Sequence, residues 1–74
     1  MLKVKAYSQS ADVETYAPSL EDAMAIYEKF KKDKHYYSIV VRKLTGELVA
    51  RYDIETNHDG VETNEWISNA AFGI

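Results

Sequence analysis

The chain has 74 residues, a formal net charge of -3 and no cysteine. That length makes one domain, burying only ~60% of its unfolded surface, with no disulfide to stabilise it. It must therefore fold on one apolar core, alone or helped by a homodimer partner. A hydrophobic content of 46% suffices for such a core and argues against disorder. The acidic balance argues against general affinity for free nucleic acid, which needs a cationic surface. No apolar run approaches the ~20 residues of a membrane helix, so no membrane partner is expected. Lys3 and Lys5 interrupt the place where a secretory leader would carry its apolar stretch. The lack of cysteine suits a reducing cytoplasm.

The first element is "LKVKAY". Leu2, Val4 and Ala6 alternate with Lys3, Lys5 and Tyr7, the period of a half-buried strand. A turn over "SQSAD" leads into a second short strand, "VETYA". Pro18-Ser19 then marks a boundary. Ser19 can cap a helix, and Asp22 three residues on approximates a capping box. The helix is expected from about Leu20 to Asp33. Leu20, Ala23, Met24, Tyr27 and Phe30 share one face, with Ile26 at its border. Acids at its start and lysines at its end both suit the helix dipole.

"HYYSIVVRKLTGELVARYDIE" reads as a hairpin turning at Thr45-Gly46. A two- or four-residue loop sets Val41 against Ala50, Ile39 against Tyr52 and Tyr37 against Ile54. These residues, with Leu48, would form the core face. A three-residue loop with a bulge would set Val41 against Val49 and split the apolar set, so the even loops are preferred. The other face would carry Tyr36, Ser38, Val40, Arg42, Glu47, Val49, Arg51 and Asp53. In the tail "NEWISNAAFGI", Trp66, Ile67, Ala70 and Ala71 fit a short helix, and Trp66-Ile67 equally fit a fifth strand. The expected fold is α+β: an antiparallel sheet of four to five strands with one packed helix. Its order is ββαββ plus a short C-terminal element.

Two charged segments are candidate partner-binding sites. The first is the basic set Lys29, Lys31, Lys32, Lys34, Arg42 and Lys43. The second is the acidic stretch "DIETNHDGVETNE", where Asp53, Glu55, Asp59, Glu62 and Glu65 make five of the twelve acids. Within it, Glu55, Asn57, Asp59 and Gly60 match the first positions of a calcium loop. The match then fails: Trp66 stands where the bidentate acid belongs, and a strand precedes the loop instead of a helix. Asp53 and Glu55 lie two apart on a strand, a carboxylate spacing used in glycoside hydrolysis. A chain this small offers no deep cleft to raise one pKa, so a solvated face is preferred. His35 and His58 have no ligand-spaced companions, and the three glycines form no phosphate loop. No catalytic residue, metal or cofactor is expected. Tyr7 and Tyr36 beside Arg and Lys on a sheet face could stack single-stranded bases. The preferred expectation is that Trp66 and Phe72 fold over that face.

The segment "SLEDAMAIYEKF" followed by "YSIVVRKLTGELVARYD" and Trp66 resembles small phage-encoded anti-CRISPR proteins that act on type I-F surveillance complexes. The matching positions are Ser19, Leu20, Ala23, Gly46, Ala50 and Trp66, within about residues 17–67. This chain departs in a longer segment between Ala50 and Trp66 and in its net acidity. The resemblance implies a non-catalytic inhibitor working in the host cytoplasm. Its partner would be a host protein or ribonucleoprotein complex, blocked by occlusion of a nucleic-acid or partner surface. A small nucleic-acid-binding regulator using the open sheet face is the alternative.

Overall fold

The computed structural model describes residues 1–33 and 35–68. Five strands and one helix follow in the order β1 (Leu2–Tyr7), β2 (Val13–Ala17), α1 (Leu20–Lys32), β3 (Ser38–Lys43), β4 (Leu48–Asn57) and β5 (Gly60–Ile67). The strands form one antiparallel sheet in the order β2-β1-β3-β4-β5. This is the expected α+β class. Trp66 lies in a fifth strand, while Ala70, Ala71 and Phe72 fall outside the described residues.

The alternation of β1 does what its period implies: Leu2, Val4 and Ala6 are buried beneath the helix. Opposite Val4 lies Val41, and opposite Val41 lies Ala50, all fully buried. From the helix, Ala23 and Tyr27 complete the core, with Leu20, Met24, Ile26 and Phe30 packed at its margin. Ser19 caps α1: its Oγ accepts from the Asp22 N–H at 3.2 Å. The Asp33 N–H closes the other end on the Phe30 carbonyl.

The β3–β4 hairpin differs from expectation in a specific way. The Lys43 N–H donates to the Glu47 carbonyl, and the Gly46 N–H to the Lys43 carbonyl, so the loop has three residues, Leu44 to Gly46. Gly46 takes a φ of 98°, the left-handed region that glycine enters without steric cost. A three-residue loop should have shifted the pairing. It does not, because the register slips once more between Val41 and Arg42: Arg42 faces Leu48, Val41 faces Ala50, and Val49 is the extra residue. This β-bulge restores Val41–Ala50 and Ile39–Tyr52 pairing. It also turns Val49 into the core, at 3% exposed, correcting its assignment to the outer face.

Two tyrosines exchange their expected places. Tyr37 pairs with Ile54 as foreseen, through the Ile54 N–H to its carbonyl, yet is 47% exposed. Tyr36 packs on the core instead, with its ring 5.0 Å from that of Phe30 in an edge-on contact. The helix has ended at Lys32, so nothing of α1 extends over Tyr37.

Candidate functional site: the open sheet face

The helix contacts β1, β3 and β2, and scarcely touches β4 and β5. The opposite side of the sheet has no covering element among the described residues. Directly paired residues share a face, so the register identifies what this side displays. One row runs across all five strands: Glu14, Lys5, Val40, Arg51 and Trp66. A second row sets Tyr16, Lys3 and Arg42 side by side. A third carries Tyr7, Ser38, Asp53 and Asn64, and beyond it Glu55 stands directly opposite Glu62. Between them lies a shallow trough of about 670 Å³, lined by Tyr7, Val40, Arg42, Arg51, Asp53 and Asn64 among others.

Charge on this face is divided. Lys3, Lys5, Arg42 and Arg51 lie over β1, β3 and the start of β4, while Asp53, Glu55 and Glu62 lie on the outer β4–β5 hairpin. Some of it is internally paired. Arg51 Nε donates to Asp53 Oδ2 at 2.7 Å, Ser38 Oγ donates to Asp53 Oδ1 at 2.8 Å, and Lys3 lies 3.7 Å from Glu14. The Tyr16 hydroxyl donates to Glu14, and that bond raises its pKa above the usual phenol value. Lys5 instead lies 5.1 Å from the Tyr7 ring centre, a cation–π distance. Arg42 donates to the Gly46 carbonyl. Neither Lys5 nor Arg42 meets a carboxylate within ion-pair distance among the described residues. Trp66, 51% exposed, stands on this face and does not fold over it.

The basic set read from the sequence does not form one patch. Lys29, Lys31 and Lys32 occupy the last turn of α1. Arg42 and Lys43 end β3 at the opposite end of the domain, where Lys43 lines a small cavity with Leu20, the first helical residue. A 13-residue helix is ~20 Å long, which separates the two groups. Lys34 lies outside the described residues. Lys31 is also committed internally. Its ammonium donates to Glu65 Oε2 at 2.5 Å, sits 3.6 Å from Glu28, and lies over the rings of Tyr27 and Tyr52.

Glu65 is thus a structural tie that the sequence did not reveal. Its Oε2 also accepts the Tyr27 hydroxyl at 2.6 Å. Burial, then the bond to Glu65, pushes the Tyr27 hydroxyl far above the ordinary phenol range. Hydrogen bonds from Lys31 and Tyr27 hold the Glu65 carboxyl below its usual value, against a smaller opposing effect of burial. For Lys31, burial acts to lower the pKa, but Glu65 and Glu28 together outweigh it and raise it. Glu65 therefore points to the helix side, away from Asp53, Glu55 and Glu62, and the acidic stretch is split between faces. Asp59 occupies the turn between β4 and β5. The would-be calcium ligands sit on two paired strands and a tight turn, not on a wrapped loop. Among the described residues no group of three or more acids and histidines is placed to hold a metal ion.

One further contact was not foreseen. Ser10 Oγ and His35 Nε2 are 3.2 Å apart in an exposed position. A hydroxyl beside an imidazole is where nucleophile activation begins, but it needs a group that orients the ring. Asp33 accepts from the His35 backbone N–H and not from the ring, so the arrangement stops at a surface hydrogen bond.

Fold and face together define a helix-on-sheet α+β domain in which no described element covers one side of the sheet. No helix among the described residues is long and apolar enough to cross a membrane. Family models, curated proteins and solved structures were each compared with the chain, and none matches.

Proposed function

We propose that this protein is a non-catalytic binding protein that docks a host protein or ribonucleoprotein complex on its open sheet face and blocks it by occlusion. The inhibitor class rests on the resemblance of residues 17–67 to anti-CRISPR proteins. The choice of face rests on one observation: Lys5, Arg51 and Trp66 stand in one uncovered row, with acids on the adjoining hairpin. A divided charge pattern suits a protein surface of complementary pattern. It steers approach and fixes orientation, while the exposed aromatic supplies contact area. The helix-end lysines leave the proposed site, since Lys31 is held by Glu65 and Arg42 lies at the other end of the domain.

A second reading, a regulator that binds single-stranded nucleic acid, is favoured by Trp66 and Tyr7 standing beside Arg51 and Lys5. The acids at Asp53, Glu55 and Glu62 oppose it, because a strand crossing the whole face would meet them.

The test is capture of a host complex by the immobilised protein. Arg51→Glu with Trp66→Ala should abolish capture, and Lys29→Glu with Lys32→Glu should leave it intact. Equal capture by the open-face variant would refute the proposed site. Trp66, the only tryptophan, also reports directly. A fluorescence titration giving sub-micromolar affinity for a single-stranded oligonucleotide at physiological salt would reverse the order of the two readings.

A further inference from the structure

The outer edge of β5 carries a second kind of surface. β5 has eight residues, all but Ile67 exposed, with Val61 at 64% and Trp66 at 51%. Among the described residues it pairs with β4 alone, on one side. Natural edge strands are usually short, bulged, or marked with proline or charged side chains. β5 is long, unbulged and without proline, and its only charges are Glu62 and Glu65, the latter held by Lys31 and Tyr27. Its hydrogen-bonding parity follows from one bond. The Ser68 N–H donates to the Val49 carbonyl, so even-numbered residues of β5 turn their backbone groups to β4. Alternation then turns the N–H and C=O groups of Val61, Thr63, Glu65 and Ile67 outward.

We propose that β5 pairs antiparallel with β5 of a second copy of this chain about a two-fold axis at Asn64. Two-fold symmetry about an axis normal to the sheet keeps each face on its own side. Only residues of like parity can then stand opposite one another, which restricts the registers to those centred on a residue. Centring on Glu62 or Glu65 sets identical carboxylates against each other. Centring on Thr63 sets Val61 against Glu65 and Ile67 against Asp59. Centring on Asn64 sets Val61 against Ile67, Thr63 against Glu65 and Glu62 against Trp66, with Asn64 meeting its own copy. It alone joins the apolar pair while keeping every carboxylate away from another. The outward groups of residues 61, 63, 65 and 67 then form about eight backbone hydrogen bonds. The result is a continuous ten-stranded sheet with both open faces on one side. The pairing stands whatever that face binds.

The register makes the test specific, because the chain has no cysteine of its own. In the proposed dimer Asn64 faces its copy across a non-hydrogen-bonded pair, where Cα atoms are ~4.5 Å apart and within disulfide reach. Full-length Asn64→Cys under mild diamide oxidation should run as a covalent dimer on a non-reducing gel, and Thr63→Cys should remain monomeric. Charge supplies the second arm. Asn64→Lys alone and Asn64→Asp alone should sediment as monomers, and their mixture should restore a dimer. A wild-type chain that sediments as a monomer at hundred-micromolar concentration would overturn the proposal. So would linkage through Cys at 63 and not at 64, or by neither variant, the result expected if the chain's own residues 69–74 occupy that edge.

Discussion

Tyr27, Glu65 and Lys31 invite a quantitative test, because they join the helix to a strand it otherwise scarcely touches. Tyr27 is fully buried, and its hydroxyl has Glu65 as its acceptor. A hydrogen bond to a charged group contributes ~1.5–3 kcal/mol. The Glu65 side chain is 34% exposed, so water partly replaces a lost donor and the lower figure applies. Tyr27→Phe should therefore cost about 1–1.5 kcal/mol. Glu65→Ala should cost more, about 2–3 kcal/mol, because it strands a buried hydroxyl and also removes the Lys31 ion pair. In a domain of this size each kcal/mol is ~4–8 °C in Tm. The decisive result is the double variant. Once Glu65 is gone, Tyr27→Phe removes an unsatisfied donor and should be neutral or stabilising. The pH dependence follows the same logic. The folded pKa of Glu65 lies below the unfolded value of ~4.3, so its contribution is complete above that value and disappears as pH falls through the folded one. The gap between wild type and Glu65→Gln should thus close in acid. Thermal melts of the four-member cycle and of Glu65→Gln at neutral and acid pH measure all of this. Strictly additive costs, or a pH-independent gap, would refute the tie.

Three other outcomes test the fold. Val41→Asp places a charge between Val4 and Ala50 in the core and should leave the domain unfolded by circular dichroism at 25 °C. Val49→Ala should cost ~2 kcal/mol in urea melts and Val40→Ala less than half of that; equal costs would contradict the bulge that turns Val49 inward. Gly46→Ala meets no atom within 4 Å, so its expected loss of ~1 kcal/mol is purely that of a side chain at positive φ, and an unchanged Tm would argue against the three-residue loop.

What the sequence made legible is what local period controls. Leu2, Val4 and Ala6 alternate cleanly, and Ser19 with the Leu20-to-Phe30 stripe sets the helix. What it hid has physical causes. Leu48, Val49 and Ala50 are three apolar residues in a row, so a period shift among them leaves no trace, and a bulge at Val49 that keeps Val41 opposite Ala50 is hidden. Tyr36 and Tyr37 straddle the passage from helical to strand period, where either can point inward. Trp66-Ile67 satisfies both periods, and only pairing with Arg51 decides for a strand. The basic set looked continuous because its members are near in sequence, but β3 carries Arg42 and Lys43 away from the helix end that Lys29 and Lys32 occupy. Glu65 lies 34 residues from Lys31, and no spacing rule connects them.

The uncovered surfaces follow from the proportions of the elements. Five strands at ~4.8 Å spacing make a sheet ~19 Å wide between its outer axes. One helix with its side chains is ~10 Å across and can shelter two or three strands. In this chain it lies over β2, β1 and β3. The same helix cannot also cover the far side of the sheet, nor the β4–β5 hairpin, which is ten and eight residues long. An antiparallel sheet tolerates one wet face if that face is polar, and Lys3, Lys5, Arg42, Arg51 and Asp53 make it so. They do not require Trp66 to stand exposed there, nor the hairpin to extend past the helix with Val61 in solvent. Water would be served better by a polar residue at either place. Both departures lie on β5, one on the open face and one beside the free edge. That strand therefore carries both proposed contacts, the face toward a partner and the edge toward a second copy.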